Sequence, residues 1–559
     1  MRRLSLLLAI LSVAGCTRKP EMAEPTPSER PSSSPVIFPE VADASGLAFA
    51  WSSGGKSPLN ILETLGFGIA LFDFDDDGWT DVMFTGNPRC ALFRNLGGLR
   101  FEPVTGFAEA VGDGWYQGCA AGDFNNDGRP DVFVSGYHCG ALMINQGEGR
   151  FENRTAGSGL MTTLWTSSCG TADFDRDGNL DLLVSAYVAF GPDEPQLIDF
   201  KGVMAAGTPS HYEAEKARLY LGNGDGTFRD ATSAWGVDKV HGKGLGVAIG
   251  DADDDGWQDV YVSNDVMPCD FLHNEGDRFS NIGLENGTAY MATGARQSGM
   301  GADFGDFDGD GDLDLFVCNF AKEPSSVYQA EVPGRSYRDV SLASGIGAAC
   351  MPYVKFGAQW LDYDNDGHLD VFLTSGDVQD NVAEIYNREY AQRNQLFHNR
   401  GDGTFTLVPE PSPGMEAPIV GRGTAAGDLD NDGDVDIVVV DIEGPARLFR
   451  NEAAAGNHFL EVRCRRADTG ADAVGAKVVV RADGGQWVRE VHQAGSFHSS
   501  LDPRVHIGLG DAARVDGVTV RWPDGEVQEF GEVPIDCLVE VRQGGEASVE
   551  WRRGGAAAP

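Results

Sequence analysis

The sequence predicts an all-β fold, a seven-bladed β-propeller followed by a small β-rich C-terminal domain. Three observations carry that expectation. One nine-residue acidic pattern recurs seven times, with successive starts 50, 50, 78, 55, 56 and 66 residues apart, which are spacings of a propeller blade and not of a short solenoid coil. Each copy is preceded by small residues and glycines and followed by a β-branched or aromatic run, so a strand, a chelating turn and a strand is the economical reading. Finally, 42% hydrophobic and 9% aromatic residues in a chain of 559 can bury large cores, so the excess of 85 Asp+Glu over 43 Lys+Arg does not signal disorder. The net charge of −42 argues against nucleic acid as a partner.

At the start of the chain, Arg2 and Arg3 precede an apolar run over residues 4–14, too short for a permanent bilayer span but long enough for a signal-peptide core. The run ends in Val13-Ala14-Gly15-Cys16, which resembles a bacterial lipobox. Removal of residues 1–15 would then leave Cys16 as a lipid-modified N-terminus, while a plain signal peptide with a chance cysteine is the alternative. Residues 17–35 are rich in Pro, Ser and Glu without apolar periodicity, so 16–35 reads as a lipidated N-terminus and disordered tether. No later apolar run is long enough to span a bilayer, so the lipid is the only membrane attachment expected and the location is the periplasm or the cell surface. Outside the reducing cytoplasm, disulfides are permitted among Cys90, Cys119, Cys139, Cys169, Cys269, Cys318, Cys350, Cys464 and Cys537, an odd set in which Cys464–Cys537 is the best candidate bridge.

The propeller is expected over 36–452. Its candidate metal ligands stand at loop positions 1, 3, 5 and 9: Asp73, Asp75, Asp77 and Asp81; Asp123, Asn125, Asp127 and Asp131; Asp173, Asp175, Asp177 and Asp181; Asp251, Asp253, Asp255 and Asp259; Asp306, Asp308, Asp310 and Asp314; Asp362, Asp364, Asp366 and Asp370; Asp428, Asp430, Asp432 and Asp436. A hard cation such as Ca²⁺ takes six to eight oxygens, and alternating carboxylates aim at one point while Gly at position 6 permits the bend. An EF-hand would need a bidentate Glu at position 12, which is apolar in every copy (Phe84, Val134, Val184, Val262, Val317, Leu373, Val439), so chelation must close at position 9. About seven Ca²⁺ sites are expected, structural and not catalytic. Mg²⁺ suits them less, because it dehydrates reluctantly.

Downstream of each loop a third strand is visible, as in Leu92-Phe-Arg-Asn95 and Leu396-Phe-His-Asn399, and a Gly-Asp-Gly-Thr-Phe turn leads to a fourth. The fourth-strand pattern also stands at Phe38-Pro-Glu-Val-Ala, before any loop, and is missing after the seventh. The N-terminal segment should therefore complete the last blade and close the ring. Insertions at 186–217 in the third blade and 376–394 in the sixth read either as a specificity-bearing rim or as surface elaboration without function.

These copies resemble the FG-GAP/VCBS repeats of integrin-α-type seven-bladed propellers, most closely at residues 299–314, at Asn264-Asp265 and at Asn394-Gln-Leu-Phe-His-Asn399. After the ring, Gly475-Ala-Lys-Val478, Asp502-Pro-Arg-Val-His-Ile-Gly-Leu-Gly510 and Val515-Asp-Gly-Val-Thr-Val-Arg-Trp-Pro-Asp-Gly525 are similar to the ASPIC/UnbV domain of proteins related to vertebrate cartilage acidic protein, expected here over 453–545 with a flexible tail at 546–559. The resemblance implies a secreted or surface Ca²⁺-binding propeller with no established reaction chemistry. Where family members carry cysteines in the third-blade insertion this chain reads Met204-Ala-Ala-Gly-Thr208, so no disulfide is implied there.

Other motifs lose to simpler readings. Gly55-Lys56-Ser57 lacks the earlier glycine of a phosphate loop, since position 50 is Ala50. Arg400-Gly401-Asp402 belongs to a repeated turn, and His498 and His506 read as structural. There is no HExxH and no Gly-x-Ser-x-Gly elbow, and no catalytic residues are assigned. The sequence thus points to a non-enzymatic surface binding or adhesion module for an unnamed protein or polysaccharide. The alternative is an enzyme or accessory subunit holding substrate in the propeller channel or at the blade-three rim.

Overall fold

The computed structural model describes residues 37–553, apart from 52–53, 192, 195, 410–411 and 454–455. The expected signal peptide, Cys16 and the tether to residue 35 lie outside the described residues, as do 554–559.

Seven antiparallel sheets carry the seven acidic loops, each built as a meander like Ile69–Phe72, Asp81–Phe84, Ala91–Asn95 and Phe101–Pro103 in the first. In every sheet the loop joins the first strand to the second. The first strands (Ile69–Phe72, Tyr116–Gly122, Thr166–Ala172, Gly244–Gly250, Ala302–Gly305, Lys355–Leu361 and Gly421–Gly427) touch one another in cyclic order, the last against the first, so the sheets form a closed propeller. Small residues make that ring possible: a Cβ on Gly118 would stand 2.1 Å from the Ser167 carbonyl oxygen of the next sheet. The second strands read as continuous apolar runs because neighbouring sheets cover both of their faces; Val82, Met83 and Phe84 are all fully buried. Burial of this kind contributes about 1.5–3 kcal/mol per large side chain.

The N-terminal segment closes the ring as expected. Val41 N–H donates to Leu448 O at 2.8 Å, Arg450 N–H to Pro39 O at 3.0 Å and Glu452 N–H to Ile37 O at 2.9 Å, so residues 37–41 run antiparallel to Arg447–Phe449 as the outer edge of the seventh sheet. Phe38 is fully buried between the sixth and seventh sheets.

Beyond the ring, two four-stranded sheets pack face to face over Val462, Val478, Val480, Ile507, Trp522 and Val539. Two expectations are corrected here. The tail expected at 546–559 includes a strand, Ala547–Arg552, paired with Cys537–Arg542 and anchored by buried Trp551. Cys464 and Cys537 are both free: the strands that hold them are parallel neighbours, but the register sets Cys464 opposite Val541, four residues further along than Cys537.

A hairpin of this C-terminal region, Ala494–Gly495 and Ser499–Ser500, enters the propeller along its axis. Its backbone and hydroxyls bond the inner strands of several sheets: Ser499 Oγ accepts Ile69 N–H at 3.3 Å, His498 O accepts Cys119 N–H at 3.2 Å and Ser496 O accepts Ala302 N–H at 3.2 Å. Phe497 packs edge-on against Phe356 of the sixth sheet, centroids 4.9 Å apart. The chain itself thus occupies much of the propeller axis, and the channel that the enzyme alternative would use is narrowed to a cavity of about 120 Å³ between inner strands of the fourth to seventh sheets and the C-terminal region.

Candidate metal centres

The nine-residue loops fold alike because backbone N–H groups and side-chain oxygens pair in a fixed pattern. The position-1 carboxylate accepts the N–H of the position-6 glycine in all seven, as in Gly78 N–H to Asp73 Oδ2 at 3.0 Å. The position-5 carboxylate accepts the N–H of position 7, as in Trp79 to Asp77 Oδ1 at 3.1 Å. The position-9 carboxylate is a strut. Its Oδ1 accepts a backbone N–H from the third strand in six sheets, as in Asn95 to Asp81 at 2.7 Å, and from Asn451, just past that strand, in the seventh; in six sheets its Oδ2 accepts the position-2 N–H, as in Phe74 to Asp81 at 2.9 Å. Position 4 is left-handed throughout, from Asn431 at φ 53° to Gly309 at 77°, and six of the seven residues there are Asp, Asn or Gly.

Position 3 has no uniform backbone partner. Asp75 Oδ1, Asp253 Oδ1, Asp364 Oδ1 and Asp430 Oδ1 are buried without any hydrogen-bond partner, and in the fourth loop Asp251 Oδ1 and Asp259 Oδ2 join them. Leaving a buried carboxylate oxygen unpaired costs about 1–3 kcal/mol or more, so these atoms ask for a cation. The donors fit one of the hard kind: oxygens of Asp73, Asp75 and Asp81, of Asp173, Asp175 and Asp181, and of Asp251, Asp253 and Asp255 each lie within 4.8 Å of one another. The structure thus brings the residues at positions 1, 3 and 9 together in the first and third loops and those at 1, 3 and 5 together in the fourth, and in all seven it gives positions 1, 5 and 9 a second task.

Burial, reinforced by the neighbouring carboxylates, pushes Asp75, Asp173, Asp306 and Asp430 up to about 6. Asp370 rises to about 7 and Asp131 to about 8, burial again the leading cause. A bound divalent cation would hold all of them ionised.

Three sets of residues at the loops escaped sequence reasoning. The asparagine that ends the third strand clamps one sheet to the one before it: Asn145 Nδ2 donates to Phe74 O at 2.8 Å, Asn274 to Phe174 O at 3.0 Å, Asn399 to Phe307 O at 2.8 Å and Asn451 to Tyr363 O at 2.7 Å, while Asn95 reaches Leu429 O of the last sheet at 2.8 Å. Its recurrence was legible, its purpose was not. The residue before it leans over the loop: Arg94 lies 2.7 Å from Asp75 and 2.9 Å from Asp77, Arg450 lies 3.0 Å from Asp430, and His398 Nδ1 lies 3.4 Å from Asp370. The Asp370 carboxylate beside it, against the opposing effect of burial, raises His398 to about 9. The second and third sheets place Ile144 and Leu221 there, so no cation from the third strand faces their loops.

The third set comes from the C-terminal region. Arg463 pairs with Asp73 at 3.0 Å, Arg521 with Asp251, Lys477 with Asp254 at 3.0 Å, Arg465 with Asp76 and Arg553 with Asp434, and Arg504 donates to Asp428 O at 2.6 Å. The C-terminal sheets therefore cover the loop-bearing face of the propeller.

Residues 73–134, 123–184, 205–262, 251–317 and 362–439 match the FG-GAP-like repeat family, taking in all seven loops and more than half of the chain, and residues 467–548 match the ASPIC and UnbV family. Cartilage acidic protein 1 of Homo sapiens is 28% identical over 314 residues, 55% of this chain and 45% of that protein, and its Xenopus tropicalis counterpart is 25% identical over 343 residues, 59% and 49%. The matched stretch spans about half the length of these curated relatives. Among solved structures, an Agrocybe aegerita lectin that recognises non-reducing terminal N-acetylglucosamine is 17% identical with a TM-score of 0.39, covering 68% of this chain and 87% of the lectin. YCF48 from Cyanidioschyzon merolae is 10% identical with a TM-score of 0.40, covering 74% and 99%.

Proposed function

The chain belongs to the family of FG-GAP-like repeat proteins that carry an ASPIC and UnbV domain, and from that premise we propose that it is an exported, lipid-anchored, Ca²⁺-binding propeller serving as a surface binding or adhesion module for a protein or polysaccharide. Ca²⁺ would sit in the seven loops, held by the residues at positions 1, 3, 5 and 9, where it supplies positive charge to buried carboxylates and stiffens the loop face. The lipid would be carried by Cys16, and no helix among the described residues is long and apolar enough to cross a membrane.

What carries the binding reading is the difference between the two faces. The loop face lies beneath the C-terminal sheets. On the opposite face, where second strands turn into third strands, the two insertions meet: Asn381 Nδ2 of the sixth-sheet insertion donates to Met204 O of the third-sheet insertion at 2.8 Å. Long connections that leave their own sheets to touch each other are built for recognition more than for stability. The enzyme reading keeps the third-sheet rim and a narrowed channel.

The test is a screen of glycan and purified-protein arrays with the soluble body from Phe38 onward, in Ca²⁺ and in chelator. Retention of one ligand class in Ca²⁺ and its loss in chelator is the expected result. Turnover of an array substrate without retention would move the assignment to the enzyme.

A further inference from the structure

Beneath the meeting point of the two insertions lies a cavity of about 250 Å³. Tyr187, Phe320, Phe356 and Tyr386 supply aromatic walls, and Leu65 and Met300 add aliphatic surface. Its base rests on the narrowed channel, because Phe356 is the residue that Phe497 of the axial hairpin packs against. Tyr386, 48% exposed, marks the mouth.

The polar groups of this cavity are few and unevenly paired. Gln379 is 5% exposed; its Nε2 donates to Ala206 O at 3.3 Å, whereas its Oε1 is buried without a partner. Arg388 lies over the rings of Phe320 and Tyr386, 5.2 Å from each centroid, and forms an ion pair with Asp377 at 2.8 Å, yet its Nε is buried without a hydrogen-bond partner. Asp265, of the Asn264-Asp265 pair that stands out in the sequence, accepts the Tyr187 hydroxyl at 2.8 Å and borders the same space.

We propose that this cavity is a binding site for one neutral sugar ring at the end of a glycan. The inference deepens the binding-module reading and rests on it. Gln379 and Arg388 both line the cavity, one with an unpaired acceptor and the other with an unpaired donor, and together they call for ligand groups that both donate and accept, as a hydroxyl does. An anion would satisfy Arg388 but face Gln379 Oε1 and the Asp265 carboxylate; a cation would satisfy those and face Arg388 and Lys322. Aromatic walls suit the apolar face of a sugar ring, and a mostly apolar pocket with a few placed polar groups is the ordinary form of a small-ligand site. The volume lies near the lower bound of about 300 Å³ for such pockets, which suits a single ring and not an extended chain.

The experiment is saturation-transfer NMR and calorimetric titration of the whole mature protein in Ca²⁺ with a panel of methyl hexosides and methyl N-acetylhexosaminides, and with neutral tripeptides as the competing class. The expected result is binding of at least one glycoside and of no peptide. Gln379→Ala and, at the exposed mouth, Tyr386→Ala should each weaken that binding by about tenfold or more while leaving Ca²⁺ content unchanged, and Tyr386→Ala should also leave the melting temperature unchanged. Peptide binding without glycoside binding, no glycoside binding, or glycoside binding that both variants retain would each overturn the inference. If the arrays retain a ligand that both variants also retain, this site falls and the binding-module reading stands; if they retain nothing, both fall.

Discussion

Positions 3 and 9 of the acidic loops should respond differently to the same chemical change, and the fifth loop makes the comparison clean. Asp314, at position 9, is 1% exposed; its Oδ1 accepts Ala330 N–H at 2.8 Å and its Oδ2 accepts Phe307 N–H at 3.1 Å. Asp314→Asn replaces one of those oxygens with an amide group that points donors at a donor. The loss is one charge-assisted hydrogen bond of about 1.5–3 kcal/mol plus a buried N–H left unpaired at about 1–3 kcal/mol, or about 2.5–6 kcal/mol in total for the ionised carboxylate. Asp308, at position 3, meets Asp310 N–H at a long 3.4 Å and the Gln329 amide, and Asp308→Asn should cost less than about 1 kcal/mol in chelator. In Ca²⁺ it should cost more, because a filled loop gains about 2.7 kcal/mol when free Ca²⁺ exceeds its dissociation constant a hundredfold, and a neutral amide in place of the carboxylate weakens that binding. Urea unfolding midpoints of both variants, each in Ca²⁺ and in chelator, read the difference. An Asp314→Asn midpoint matching wild type in chelator would refute the strut, and an Asp308→Asn loss of equal size in both buffers would refute the ligand assignment.

Removing residues 17–35 should leave melting unchanged, whereas removing 36–50 opens the edge at Arg447–Phe449 and should produce aggregation, read by light scattering. A monomeric product that melts like the parent would contradict ring closure. Arg422, fully buried, donates to the carbonyls of Thr64, Leu65, Gly376, Gly421 and Asp377, and Arg422→Met should cost on the order of 3 kcal/mol by calorimetry because five acceptors lose their donor together. Burial, with the Arg422 guanidinium nearby, holds the His498 imidazole down at about 3. Below about pH 6.5 the unfolded chain gains a proton there that the folded chain refuses, so stability falls from that pH down toward 3. His498→Asn should show a shallower acid loss than wild type, and parallel pH–stability curves would contradict the assignment.

What the sequence revealed was what its neighbours decide. The loops were legible because Asp at positions 1, 3, 5 and 9 and Gly at position 6 act within nine residues, and the orphan strand at Phe38 was legible because it copies a repeated pattern. The double duty of position 9 was hidden, since its partner Asn95 N–H comes from another strand. Arg463 and Asp73 stand 390 residues apart, and nothing in the local charge pattern joins them. His498 reads as structural, but nothing near it in the sequence tells that residues 494–500 lie on the propeller axis against the inner strands. Ala547–Arg552 was missed although Val549 and Trp551 alternate with polar residues as a strand requires. The free Cys464 and Cys537 show the same limit: adjacent strands were inferable, register was not.

Calcium-dependent melting tests the central claim most directly, that the seven loops hold metal which stiffens the propeller. Differential scanning calorimetry of the mature protein should give a melting temperature that falls markedly in chelator and returns when Ca²⁺ is restored, because ions bound only by the folded loops add their binding free energy to its stability. Superimposable curves in chelator and in Ca²⁺ would contradict the account, leaving the acidic loops as turns held by their backbone bonds alone.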